Sequence, residues 1–180
     1  MGDDRGDAEL VRLSRLGDRG AFEGLVMRYG PGLYRFGRRM VGHDDLTEDC
    51  VQETFISAWL GIERFREESS VKTWLFGIMT NKVRHELRRG IRERTISMDE
   101  VDLAGDEQPA NRAEVSELLH ALDTALATLP PDQRACWLLK EVEGLSYQQI
   151  AEIQGTTADA VRGRLARARE SLGGRLKGWR

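Results

Sequence analysis

The segment from Leu145 to Leu172, LSYQQIAEIQGTTADAVRGRLARARESL, constrains the fold most, because it predicts two short helices joined by a tight turn. Ser146 is a candidate cap for the first helix, and Gln149 three residues later completes a capping-box pattern. Gly155 supplies a residue that readily takes a positive φ and ends that helix. Thr157 is a candidate cap for the second helix.

The second helix of this segment is amphipathic and basic. Small Ala151, then Gly155 four residues on and Val161 six beyond, have the spacing of a helix-turn-helix, in which the second helix enters a DNA major groove. A solvated basic face is the alternative, but the cap, the spacing and the one-sided arginines together favour DNA binding. These arginines, opposite the apolar residues Val161, Leu165, Ala168 and Leu172, are Arg162, Arg164, Arg167 and Arg169.

A nucleic-acid role must rest on local charge, because the net charge of the 180 residues is −3. Residues 162–180 contain seven basic side chains against Glu170, a local charge of +6, whereas residues 98–117 contain seven acids against Arg112, a local charge of −6. Since steering of a charged partner depends on where charge sits, this asymmetry is informative.

Other classes of protein lack support in the sequence. Cys50 and Cys136 form no CxxC motif and sit among apolar residues, which predicts buried, reduced thiols, with a redox switch as the alternative. The three histidines have no metal-ligand spacing, so no metal or other cofactor is expected. No nucleophile–base pair or phosphate loop indicates an enzyme. The acidic N-terminus is no signal peptide and no apolar run could span a membrane, so we expect a cytoplasmic protein without membrane insertion.

The helical periodicities predict an all-α fold of two small helical domains joined by a flexible acidic linker, the second domain ending in the helix-turn-helix. The predicted boundaries are 8–94 for the first domain, 95–111 for the linker and 112–177 for the second domain. Gly30-Pro31-Gly32 is expected to break the second helix of the chain. The predicted helices before the helix-turn-helix are Ala8–Leu16, Ala21–Tyr29, Leu33–Val41, Asp45–Leu60, Lys72–Arg89, Glu114–Leu129 and Asp132–Val142.

The helix predicted over Asp45–Leu60 carries acids and an amide on its outer side. They indicate either a solvated helix with a favourable acidic N-terminus or a docking face for a basic partner. The inward stripe is predicted to consist of Leu46, Cys50, Val51, Ala58 and Trp59.

The stretch Ile62–Val71 loses helical periodicity and is predicted as a loop. The helix after it places Trp74 and Phe76 near a basic stretch, residues 82–94, with six basic and two acidic side chains and a local charge of +4. Aromatic rings beside basic side chains after a flexible loop are typical of single-strand binding, by stacking and phosphate neutralisation. Ordinary core packing of the two aromatic residues is the alternative.

Two blocks of sequence carry a family resemblance. DLTEDCVQETFISAW followed by TWLFGIMTNKVR, and LPPDQRACWLLKEVEGLSYQQIAEIQGTTADAVRGRLARAR, resemble the bacterial alternative sigma factors of the extracytoplasmic-function (ECF) type, small two-domain members of the sigma-70 family. The resemblance covers residues 8 to 175. It departs from the family pattern at several positions, including Gly77, where a basic residue is usual, and Gly163, where serine is usual.

The resemblance implies a dissociable promoter-recognition subunit that binds bacterial core RNA polymerase through both large subunits. The first domain would dock on the polymerase clamp and help melt the −10 element, and the second would read the −35 element as duplex DNA. An anti-sigma factor is an expected further partner. By position, the implied polymerase-binding residues are Asp49, Gln52, Glu53 and Phe55, those for −10 DNA are Phe65, Arg66, Ser69, Asn81 and Arg84, and those for −35 DNA are Thr156, Thr157, Asp159, Arg162, Arg164 and Arg167.

Two other functions are consistent with parts of the pattern. A stand-alone dimeric helix-turn-helix regulator would bind a palindromic duplex tightly without polymerase. A pure interaction module would bind polymerase without opening a promoter. The unpaired two-domain design with an acidic docking helix speaks against the stand-alone regulator.

Overall fold

The computed structural model describes residues 5–96 and 113–176, and these residues form helices and connecting turns without a strand, which confirms the all-α prediction. We call α1–α4 the N-terminal bundle and α5–α8 the C-terminal bundle. Most of the predicted linker, residues 97–111, lies outside the described residues. The helices are α1 Asp7–Arg15, α2 Arg19–Val41, α3 Asp44–Gly61, α4 Val71–Ile96, α5 Ala113–Ala127, α6 Pro131–Trp137, α7 Tyr147–Gln154 and α8 Ala158–Leu176, with a 3-10 turn at Ile62–Arg64 and a π turn at Leu138–Val142.

The predicted break at Gly30-Pro31-Gly32 is wrong, because α2 runs without interruption through Pro31. A proline inside a helix removes one N–H and crowds the carbonyl four residues earlier, here that of Met27. Pro31 and Met27 both lie on the exposed side, where helix carbonyls can tilt toward water. Leu25 before the proline and Phe36 after it are both buried, so core packing holds the two halves of α2 in one line.

The inward face of α3 differs from the predicted stripe. Cys50 and Ala58 are buried as predicted, but Thr47, Thr54 and Phe55 join them in the core, while Leu46, Val51 and Trp59 are only half-buried. The two threonines are accommodated because each hydroxyl donates to a carbonyl four residues earlier, Thr47 to His43 and Thr54 to Cys50, both at 2.7 Å. Satisfied in this way, a threonine can pack in an apolar core.

A smaller error concerns α1. Leu10 and Val11 are fully buried there, as their spacing predicts. Leu16 closes the predicted helix Ala8–Leu16, but it follows the last helical residue and is 75% exposed.

The helix-turn-helix forms as the sequence predicts. Ser146 and Gln149 make a reciprocal capping box at the start of α7, and Gly155 ends that helix with φ of +61°. Thr157 caps α8 by accepting from the N–H of Ala160 at 3.2 Å. The buried face of α8 contains the predicted apolar residues Val161, Leu165, Ala168 and Leu172.

The helix predicted over Asp132–Val142 is only partly α-helical. Pro131 occupies the first turn of α6, where a missing N–H costs no helical hydrogen bond. From Leu138 to Val142 the chain forms a π turn, and both Leu138 and Leu139 are buried within it. The wider turn keeps these two neighbouring leucines on the core side.

Candidate polymerase-docking and nucleic-acid site

An apolar groove runs between α2 and α3 on the surface of the N-terminal bundle. Aromatic rings form its floor: the ring centroid of Phe22 lies 6.3 Å from that of Phe55 and 5.0 Å from that of Trp59, both edge to face. Ile56 and Leu60 on its wall are 51% and 76% exposed. The lining residues are Phe22, Val26, Gly30, Pro31, Tyr34, Arg35, Glu48, Val51, Gln52, Phe55, Ile56, Trp59 and Leu60.

The four predicted polymerase-binding residues all lie on α3, and two of them line the groove. Gln52 is exposed on its wall, and Phe55 is 8% exposed at its floor. Asp49 and Glu53 are exposed, and Glu53 forms an ion pair with Lys82 of α4 at 3.2 Å. The polar outer side of α3 predicted from the sequence is therefore interrupted by an apolar strip.

The groove residues on α2 and the strip on α3 were missed in the sequence. Ile56 and Leu60, spaced four residues apart and outside the predicted inward stripe, were the available signal. Phe22 and Val26 belong to an ordinary amphipathic pattern, and nothing in α2 alone distinguishes a groove wall from a core face.

The loop between α3 and α4 contains three of the residues predicted to bind −10 DNA. Phe65 is buried and stacks on Trp74, with ring centroids 4.5 Å apart. Arg66 is exposed and Ser69 is half-buried. Ser70 ends the loop by capping α4, since its Oγ accepts from the N–H of Thr73 at 3.0 Å. The stretch is thus an ordered turn, with Ile62 and Phe65 as its apolar anchors.

A single arginine from α1 bonds to this loop at three places. Arg15 donates to the carbonyl of Ile62 at 3.2 Å and to the carbonyl of Phe65, and it pairs with the carboxylate of Glu67 at 2.7 Å. Glu67 adopts φ of +58°, a left-handed conformation uncommon for a residue with a side chain. No pattern along the chain predicts this contact, because Arg15 and the loop are about fifty positions apart.

The other two predicted −10 residues lie on α4. Asn81 is exposed, whereas Arg84 is half-buried and pairs with Asp132 of α6 at 3.1 Å. Phe76 of the same helix is fully buried and packs edge to face on Phe36, so its role is core packing.

Most of the residues predicted to read the −35 element lie on the exposed side of the helix-turn-helix. Thr157 and Asp159 are exposed at the start of α8, and Thr156 is half-buried in the turn. Arg162 pairs with Asp159 and lies over the ring of Tyr147, 5.4 Å from its centroid. Arg167 is exposed one turn further along α8.

Arg164 differs from the other predicted −35 residues because it turns into the C-terminal bundle. It donates to the Oε1 atom of Gln154 and pairs with Asp132 at 3.4 Å. Gln154 is itself buried, and its Nε2 donates to the carbonyl of Asp132 at 3.2 Å. One carboxylate, that of Asp132, therefore contacts both Arg84 and Arg164.

The two bundles contact each other through further polar groups. Lys72 of α4 pairs with the Glu143 carboxylate at 3.2 Å and donates to the Glu143 carbonyl at 2.6 Å. Arg39 of α2 pairs with Asp123 of α5 at 2.9 Å. These contacts, with the Arg84–Asp132 pair, hold α2 and α4 against the C-terminal bundle.

Arg134 also crosses this contact, and it is half-buried. It donates to the carbonyl of Met40 near the end of α2 at 3.0 Å, to that of Ala127, the last residue of α5, and to that of Leu129 just after α5. Burial lowers the pKa of its guanidinium, because desolvation disfavours the charged form. Carbonyls at helix C-terminal ends carry partial negative charge, which suits a cation.

Both cysteines are buried and free, as predicted. Burial raises the pKa of each thiol to about 11. Within residues 5–96 and 113–176, we find no group of His, Cys, Asp and Glu side chains that could hold a metal ion. No helix in the described part of the chain is long and apolar enough to cross a membrane.

The fold and site define a helical protein with an apolar surface groove on one bundle and a helix-turn-helix on the other. Comparison with known proteins agrees with this class. The model of sigma-70 region 2 matches residues 25–93, and that of sigma-70 region 4 matches residues 119–172.

Curated relatives match over nearly the whole chain. The chain is 35% identical to an ECF RNA polymerase sigma-E factor of Haemophilus influenzae, with 95% of each chain covered. It is 32% identical to the sigma-E factor of Salmonella typhimurium, with 95% of this chain and 94% of the relative covered.

Solved structures show the same fold. The sigma factor RpoE of Bartonella quintana, in complex with the anti-sigma factor NepR, matches with a TM-score of 0.77 at 30% identity, covering 87% of this chain and 96% of that one. CnrH, in complex with the cytosolic domain of CnrY, matches with a TM-score of 0.74 at 28% identity, covering 96% and 97%. The chain belongs to the ECF sigma factors of the sigma-70 family, and it is a promoter-recognition subunit that directs transcription initiation.

Proposed function

We propose that this sigma factor docks on core RNA polymerase through the groove between α2 and α3. The exposed Ile56 and Leu60 would bury apolar area on binding, which is the main source of affinity at an interface. The acids beside the groove, Asp49 and Glu53, would select a basic helical partner by charge complementarity. Such a partner matches the clamp coiled coil of the largest polymerase subunit, which the family resemblance implies.

The −10 element would be read at the loop between α3 and α4. A flipped base must leave its stack at a cost of about a few kcal/mol, and a pocket with aromatic or polar partners offsets that cost. Phe65 and Trp74 form the aromatic base of this loop, and Arg66 and Ser69 lie on its accessible side. Asn81 and Arg84 would extend the surface along α4 and contact the single strand.

The −35 element would be read as duplex DNA by α8, with contacts to the flap of the second large subunit. Thr156, Thr157 and Asp159 would lie at the mouth of the groove, and Arg162 and Arg167 would reach base edges or phosphates. Arg164 could contact DNA only after leaving Gln154 and Asp132. The chain would act by binding alone, with the chemistry done by the polymerase core in the cytoplasm.

An anti-sigma factor is the expected regulatory partner. Of the structural neighbours, RpoE of Bartonella quintana was solved in complex with the anti-sigma factor NepR, and CnrH in complex with the cytosolic domain of CnrY. We propose that this chain is held inactive by a comparable protein until a signal releases it.

The observation that carries the docking proposal is the exposed apolar strip on the otherwise polar side of α3. The test is run-off transcription with purified bacterial core polymerase on a library of promoter fragments, together with direct measurement of polymerase affinity. Leu60→Lys should lower that affinity at least tenfold, because a charged group would replace an apolar side chain that is buried when polymerase binds. Met27→Lys is the matched control, since Met27 is 77% exposed on α2 and does not line the groove.

Two outcomes would redirect the proposal. If Leu60→Lys and Met27→Lys have the same polymerase affinity while the wild-type chain still directs transcription, polymerase docks elsewhere. Transcripts that start at defined sites only with this chain would give its −10 and −35 sequences. Tight duplex binding by the chain alone, without transcripts, would favour a stand-alone helix-turn-helix regulator.

A further inference from the structure

The guanidinium of Arg15 occupies a position that the function described above does not explain. It projects from the last turn of α1, a helix without any proposed contact to DNA or polymerase, and reaches the loop between α3 and α4. We propose that Arg15 is a positioning residue that sets the shape of the −10 loop and thereby its choice of base. This inference rests on the proposed role of that loop.

The three acceptors of Arg15 are spread along the first half of the loop. Two are main-chain carbonyls, those of Ile62 and Phe65, and the third is the carboxylate of Glu67. A guanidinium can serve all three because it has five N–H donors in a rigid planar fork. The bond to the Phe65 carbonyl fixes the residue whose ring stacks on Trp74, so backbone and ring of the same residue are both held.

The conformation of Glu67 shows why the loop needs the contacts from Arg15. Its φ of +58° is unfavourable for a residue with a side chain, and it persists only where the surroundings enforce it. The ion pair with Arg15 at 2.7 Å contributes to that constraint, together with the Arg15 bonds to the carbonyls of Ile62 and Phe65. Arg66 immediately precedes Glu67 and is exposed. The backbone turn at Glu67 therefore helps to determine where the Arg66 side chain lies.

The second half of the loop is held separately. Ser70 caps α4 through the N–H of Thr73, and Ser70 Oγ lies 2.9 Å from Thr73 Oγ1. Arg15 and Ser70 thus restrain the two ends of the segment that contains Arg66 and Ser69. Loss of Arg15 would leave the far end capped, and the near end would be held only by the buried side chains of Ile62 and Phe65.

The experiment compares Arg15→Ala, Arg15→Lys and Glu67→Gln in the full chain assembled with core polymerase. The control is Arg12→Ala, which removes an exposed arginine from the same helix turn. The readouts are polymerase affinity, binding to a −35 duplex, and the ratio of binding to fork-junction DNA with the preferred or a substituted −10 base. A fluorescent base analogue at the flipped position reports unstacking directly.

Arg15→Ala should lower discrimination at the flipped base about tenfold, because small displacements of positioning groups have large effects. Polymerase affinity and −35 binding should stay within about twofold, since these contacts lie elsewhere. Arg15→Lys should recover only part of the loss because a point charge cannot serve three acceptors. Glu67→Gln should be intermediate, since the two carbonyl contacts remain.

Two results would overturn the inference. In the first, Arg15→Ala keeps wild-type base discrimination in an assembled holoenzyme. In the second, it lowers polymerase affinity, −35 binding and −10 binding equally, which would indicate a general folding role. Failure of the wild-type chain to bind polymerase or fork-junction DNA would instead refute the proposed function, so the two failures are distinguishable.

Discussion

Replacing either of two helical glycines in the N-terminal bundle with alanine should change the free energy of unfolding, but in opposite directions at the two positions. Gly37 is buried in the interior of α2, and a Cβ there would lie 2.4 Å from Met79 Cε and 3.0 Å from Thr47 Cγ2. Gly77 lies inside α4, and a Cβ there would have nothing within 4 Å. The same substitution therefore separates helix propensity from packing.

The magnitudes follow from these surroundings. Alanine is favoured over glycine in a helix interior by about 1 kcal/mol, so Gly77→Ala should raise the free energy of unfolding by up to that amount. Gly37→Ala gains the same term but overpacks the core, which typically costs about 1–3 kcal/mol. The two neighbouring side chains have little room to move away from the added methyl group, because Met79 and Thr47 are both fully buried. The Thr47 hydroxyl is also bonded to the His43 carbonyl.

We therefore expect Gly37→Ala to destabilise the protein by about 1 kcal/mol, leaving the two variants about 2 kcal/mol apart. Thermal unfolding followed by circular dichroism should show Tm values separated by about 4–8 °C for a chain of this size. Urea unfolding of the same variants gives the free energies directly. If Gly37→Ala stabilised the protein as much as Gly77→Ala does, the packing of α2 against α3 and α4 described above would be wrong.

Three further predictions concern the C-terminal bundle and the thiols. Ser146→Ala should lower the free energy of unfolding by about 1 kcal/mol in urea titrations, since the capping box loses its acceptor; an unchanged midpoint would contradict this. Gly155→Ala should lower it by about 1–2 kcal/mol because φ is +61° there, and full stability would show that the turn relaxes. Cys50 and Cys136 should react with a thiol reagent at pH 8 about a hundredfold more slowly in the native than in the urea-unfolded chain, because their pKa values are raised to about 11 and the thiolate fraction falls accordingly. Equal native and unfolded rates would show that the thiols are not buried.

The features that the sequence predicted correctly are those encoded within a few residues. The capping box at Ser146, the left-handed Gly155 and the cap at Thr157 depend only on local backbone chemistry. The apolar face of α8 is likewise set by helical periodicity. The helix-turn-helix could therefore be placed residue by residue.

The features that were missed depend on contacts between distant segments. Pro31 has strong local helix-breaking chemistry, yet packing on both sides of it outweighs that preference. Thr47 and Thr54 in the core of α3 were not foreseeable from hydrophobicity, because their hydroxyls are satisfied by the helix itself. Arg15 and Asp132 matter through partners about fifty positions away, and no pattern along the chain identifies such pairs.

The guanidinium of Arg134 gives the contact between the bundles a particular mechanical character. It donates hydrogen bonds both to a carbonyl near the end of α2 and to one at the end of α5, and burial lowers its pKa. Separation of the two bundles would break the bond to the Met40 carbonyl, whereas the bonds to Ala127 and Leu129, in the same bundle as Arg134, would remain. The guanidinium therefore keeps two of its acceptors whether the bundles are in contact or apart. Arg134 should consequently tie the end of α5 to α6 in either arrangement, and the bond to α2 is the part of its bonding that can be made and broken.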